Sequence, residues 1–133
     1  MIIEDYVSFE TAKLLKEKGF DEACHAFYDK DGIFISLLQF IGNNNLKGID
    51  NEKVTFAPTL QMAMKWLREV HHIVITTDYA NICGLGFTYA ASVIKINNNG
   101  EIDDVDGPNV CLYKDSYEGV CEAAIIYCLE KLI

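Results

Sequence analysis

The chain has 133 residues, half of them apolar, with 11 Lys and Arg against 20 Asp and Glu for a net charge of −9. That length suits one ordinary domain, which folds without needing a metal or a disulfide. The negative balance repels phosphate backbones and anionic lipid, so direct nucleic-acid binding is not expected, and no run reaches the ~20 apolar residues of a membrane-spanning helix.

The first predicted helix covers residues 8–18. Ser8 is its expected N-cap, and Glu10 stands in the first turn, where the helix dipole favours a carboxylate. Phe9, Ala12 and Leu15 recur at helical spacing and Leu14 widens the stripe. Gly19 stands where a left-handed residue ends a helix, and Phe20 is expected to fold back on Leu15 in a Schellman ending. A β-hairpin follows, with Ala26-Phe27-Tyr28 and Ile33-Phe34-Ile35 flanking Asp29-Lys30-Asp31-Gly32, since Asp-Gly is favourable turn chemistry. Its second strand is expected to run toward Phe40 or Ile41. The stretch from Gly42 to Lys53 reads as loop, and Lys53 to Phe56 as either a short strand or a lead into the next helix.

That second helix spans 58–71, with Pro58 suited to a first turn and Thr59 as an alternative cap. Leu60, Ala63, Met64 and Leu67 form one face, broadened by Met62, Trp66 and Val70, which makes it the expected most buried helix. His72 to Thr77 reads as a strand, Asp78 to Gly86 as a looser segment, and Phe87 to Ile96 as a long strand. Asn97 to Gly100 turns, Glu101 to Pro108 forms an acidic loop, and Val110 to Tyr113 reads as a short edge strand. The last helix, 115–132, opens with a capping-box pattern at Asp115-Ser116-Tyr117-Glu118. Its interior Gly119 costs up to ~1 kcal/mol relative to Ala, which close packing of a neighbour would explain. The order α-β-β-α-β-β-(β)-α predicts a single α+β domain over 1–133: one antiparallel sheet of four to five strands with three helices packed on it.

Five groups of residues are candidates for chemistry. His71 and His72 end the second helix, but side chains one apart diverge by about 100° and seldom converge on one ion. Cys24 and His25 are the residue types of a nucleophile and its base, yet neighbours on an extended segment point to opposite faces. Asp104 and Asp106 lie in the acidic loop. With Gly107 set at position six of a calcium-binding loop, Ile102 and Tyr113 fall at positions one and twelve, where ligands are required. Gly84-x-Gly86 lacks the third glycine of a dinucleotide fingerprint and precedes a strand. Among the aromatics, Tyr28, Tyr79, Phe87, Tyr89 and Tyr113 are expected mostly as core or sheet-face residues, with any exposed subset suited to a protein interface.

The five cysteines, Cys24, Cys83, Cys111, Cys121 and Cys128, include no C-x-x-C pair and are expected to be buried small hydrophobes. No cofactor or metal is predicted. The N-terminus Met1-Ile2-Ile3-Glu4-Asp5-Tyr6 lacks a basic segment followed by a long apolar run, so the cytoplasm is the expected compartment.

The segments Tyr6 to Phe20, Ala57 to Glu69, Tyr117-Glu118 and Cys121 to Ile125 resemble a family of small uncharacterised proteins of anaerobic gut bacteria and their prophages. The resemblance spans nearly the whole chain, implies a mobile-element setting and supplies no catalytic residues. The function expected is therefore that of a non-enzymatic, acidic interaction module of phage or mobile-element type that binds a basic protein surface. The alternative is a small enzyme or small-molecule binder using a pocket that joins at least two of Cys24, His25, His71, His72, Asp78 and Asp104. A homodimer buried through Met62 and Trp66 is compatible with either.

Overall fold

Helix α1, Phe9–Glu17, starts and stops on local chemistry. The Ser8 side chain accepts a hydrogen bond from the Thr11 N–H at 3.3 Å. At the other end Gly19 takes a φ of 97°. There the Phe20 N–H bonds to the Leu15 carbonyl at 2.9 Å and the Gly19 N–H to the Lys16 carbonyl at 3.2 Å, the two bonds of the predicted Schellman ending. Leu15 and Phe20 are both buried.

A computed structural model describes residues 2–36, 53–82, 84, 86–102 and 110–133. The chain divides into two compact units, Met1–Thr59 and Leu60–Ile133.

In the first unit, β1 (Ala26–Tyr28), β2 (Phe34–Ser36) and β3 (Thr55–Phe56) form an antiparallel sheet in the order β2-β1-β3. The β1–β2 turn is held by Asp29, whose carboxylate accepts from the N–H groups of Asp31 and Ile33. Helix α1 packs on β3. Rings of Tyr6, Phe9, Tyr28 and Phe34 pack edge to face or tilted at 5.2–5.4 Å. The Tyr28 hydroxyl donates to the Val7 carbonyl at 2.7 Å, which satisfies the polar end of a half-buried ring.

The second unit opens with α2 (Leu60–His71), followed by β4 (Ile73–Ile82), β5 (Gly86–Lys95), β6 (Val110–Lys114) and α3 (Tyr117–Tyr127). A π-helical turn, Cys128–Leu132, extends α3. The sheet order is β4-β5-β6, all antiparallel, with β6 at one edge. Both helices pack on this sheet and on each other. Ser116 caps α3 by accepting from the Gly119 N–H at 3.0 Å. A Cβ on Gly119 would lie 2.8 Å from that same Ser116 oxygen, so the capping group itself is the close neighbour that keeps the position glycine.

Three expectations change. The described strands form two three-stranded sheets rather than one sheet of four to five, because β1 recruits β2 and β3 while β4 and β5 pair with each other. The segment after Asp78 is not loose: β4 and β5 run as a hairpin with ten paired positions, Ile73↔Lys95 through Ile82↔Gly86. Positive φ at Gly84 and Gly86, 86° and 74°, accompanies the reversal. The most buried helix is α3, where Glu118 is the one exposed residue, whereas α2 exposes half its length. The proposed extension of β2, the loop after Gly42 and the acidic loop beyond Ile102 lie outside the described residues.

Candidate functional site

The inner face of the β4–β5 hairpin changes character along its length. Side chains alternate across a sheet, so Ile73, Ile75, Thr77, Tyr79 and Asn81 share one face with their partners Lys95, Val93, Ala91, Tyr89 and Phe87. At the base, Ile73, Val93 and Ala91 are buried and belong to the core. Farther out Thr77, Tyr79, Asn81 and Phe87 are exposed, Tyr79 at 57% and Phe87 at 65%. The core-facing side of the hairpin therefore continues past the part that the helices bury, and it continues with aromatic rings.

Those rings form a row. Phe87 stacks on Tyr79 at 5.6 Å with planes 24° apart. Tyr79 meets Tyr89 at 4.8 Å and 49°. Tyr89 meets Tyr117, the first residue of α3, at 6.3 Å and 74°. The Tyr117 hydroxyl accepts from the Gln61 amide at 2.8 Å. Beside the row stand the exposed carboxylates of Asp115 and Glu118 and the cation Lys114, which pairs with Tyr89 across β5 and β6, whereas Asp78 lies on the opposite face of β4. Such a cluster combines apolar area with phenolic donors in a setting of net negative charge.

His71, His72 and Trp66 belong to this same unit, in α2 and the residue that follows it. Trp66 is buried and meets His71 edge to face at 4.7 Å, so it is core and not a binding surface. This leaves Met62 and Val70 as the exposed apolar groups of α2. The His71 Nε2 atom is buried with no hydrogen-bond partner among the described residues. Burial, then Lys95, then His72 hold the His71 pKa below its ordinary value. His72 is exposed, takes a left-handed φ of 57°, and accepts at its carbonyl from the Ile96 N–H at 2.9 Å.

Cys24 is buried, and its thiol donates to the Glu22 carbonyl at 3.4 Å. Burial, aided by the Glu22 charge, pushes its pKa up to about 12. A nucleophilic cysteine requires the opposite shift. His25 next to it is exposed while Cys24 is buried, as the alternation of an extended chain requires. Cys121 and Cys128 are buried in α3 and its extension, the latter with its pKa also raised by burial to about 12. Cys83, Asp104 and Asp106 lie outside the described residues.

Among the described residues no three His, Cys, Asp or Glu side chains are grouped to hold a metal ion. A hollow of about 340 Å³ in the first unit is lined by Lys16, Gly19, Phe20, Asp21, Val54 and Phe56, and includes neither Cys24 nor His25. A broader depression beside Phe9 is bordered by Lys13, Lys30 and Lys53 and also lacks both. No described helix is long and apolar enough to cross a membrane. No family model, curated protein or solved structure matches the chain.

From sequence, the hairpin aromatics stand no higher as candidates than Cys24, His71 or Trp66. Their signal is Tyr79 and Tyr89 with Phe87 at same-face spacing, and it becomes visible only with the strand register.

Proposed function

We propose that the chain is a non-enzymatic protein-interaction module, of the kind a phage or mobile element uses to engage a host protein, and that it docks a basic surface onto the Tyr79–Phe87–Tyr89 face. The observation that carries this reading is the exposure of aromatic rings on the same side of the hairpin that elsewhere forms the core. Exposed rings clustered on a rigid strand pair are inexpensive to order on binding, having few rotatable bonds. Burying a ring of this size contributes about 1.5–3 kcal/mol.

Charge supplies the direction of the preference. The second unit carries five Lys and Arg against ten Asp and Glu. A basic partner is drawn to it over a distance that falls to roughly 8 Å at physiological ionic strength. The raised Cys24 pKa and the separate surroundings of Cys24 and His25 weigh against the enzyme alternative.

The test is affinity capture from host lysate at low and high salt with the wild-type chain and with Phe87→Ala. The expected result is a partner that is retained at low salt, released at high salt and weakened about tenfold or more by Phe87→Ala. Capture that ignores both salt and Phe87 overturns the proposal.

A further inference from the structure

We propose that the segment taken up by this face is a proline-rich stretch in the polyproline II conformation bearing arginine or lysine. This rests on the docking function just proposed and names the chemistry of its partner.

Three features of the row select such a segment. First, the planes turn progressively along it, by 24°, 49° and 74°. Rings tilted against one another leave wedge-shaped recesses between them rather than one flat platform. A pyrrolidine ring is flat and apolar, and its C–H groups meet the electron-rich faces of phenol and phenyl rings favourably.

Second, the row carries hydroxyl donors. A polyproline helix forms no internal hydrogen bonds, so its carbonyls need external donors, while its prolines bring no N–H to satisfy. Tyr79, Tyr89 and Tyr117 each offer a phenolic O–H. The Tyr117 oxygen already accepts from Gln61, which leaves its hydrogen to donate outward.

Third, the surrounding charge reads a basic flank. Asp115 and Glu118 adjoin Tyr117 at one end of the row, with Lys114 as the opposing cation. Aromatic grooves flanked by carboxylates are a recurring solution for proline-rich ligands, because the preformed helix loses little entropy on docking.

The experiment is a titration of the ¹⁵N-labelled full chain followed by amide shifts, with three probes: an arginine-flanked polyproline peptide, a Gly-Ser peptide with the same arginines, and cellohexaose. The expected result is saturable shifts confined to residues 77–91 and 115–119 with the first probe alone. Phe87→Ala should weaken binding about tenfold, and Tyr79→Phe, which keeps the ring and removes one hydroxyl, by a smaller factor. Unchanged spectra elsewhere show that both variants fold. Equal binding of the Gly-Ser peptide at the same amides overturns the polyproline assignment while the basic-partner function stands. Binding of cellohexaose at the rings overturns both. If neither peptide shifts these amides, the polyproline assignment fails, and the lysate capture decides the broader reading.

Discussion

His72 ends α2 with a left-handed backbone at φ 57°, a conformation that crowds the Cβ of any L-residue. Its carbonyl is nonetheless fixed by the Ile96 N–H, so the strand that follows depends on this geometry. His72→Gly is expected to raise stability by about 1 kcal/mol in urea unfolding, because glycine accepts the conformation without the clash. A loss of stability would show that the imidazole makes a compensating contact. Its neighbour His71 sets a pH dependence. Burial, Lys95 and His72 lower its pKa in the folded chain, so below pH ~6.5 the unfolded chain takes up a proton that the folded chain resists. Stability should therefore fall as pH drops through that window and level off below the folded-state value. In urea unfolding at a series of pH values, His71→Phe should lose that part of the slope. An identical slope in wild type and variant would assign it to other groups.

Among the elements, the β4–β5 hairpin has two regimes. Near Ile73 and Val93 its rungs are covered by buried side chains, whereas near Asn81 and Phe87 the side chains over one face are exposed. Amide hydrogen exchange should follow that division, slow for residues 73–75 and 91–95 and faster toward 79–82 and 86–89. Uniform protection along the hairpin would mean that its outer half is covered in solution. The same division explains what could be read in advance. Ser8, Gly19 and Ser116 were legible because each acts within four residues of itself. The outer half of β4 was not, since Asp78, Ala80 and Asn81 disfavour strands and are held there by their partners on β5. Trp66 misled for a related reason. An aromatic among apolar neighbours on a helix belongs to core or surface according to what packs over it, and Trp66 is buried.

At the scale of the whole molecule, charge was legible and its pairing was not. The net −9 comes directly from composition, and the side-chain ion pairs Lys13–Glu10 and Lys65–Glu69 lie on exposed helix faces, where each contributes little. The α+β class and the three helices followed from periodicity. The division of the strands into two sheets did not, because alternation within a strand says which side is apolar and nothing about which strand becomes its neighbour. The aromatic face was hidden for the same reason: Tyr79, Phe87 and Tyr89 become one face only when the hairpin register joins them. That register also has an evolutionary reading. Because the exposed rings lie outside the packed interior, substitutions at 79, 81, 87 and 89 change the chemistry of that face while the scaffold beneath keeps its stability. Four positions are thus open to editing, much as a lock is rekeyed without replacing the door.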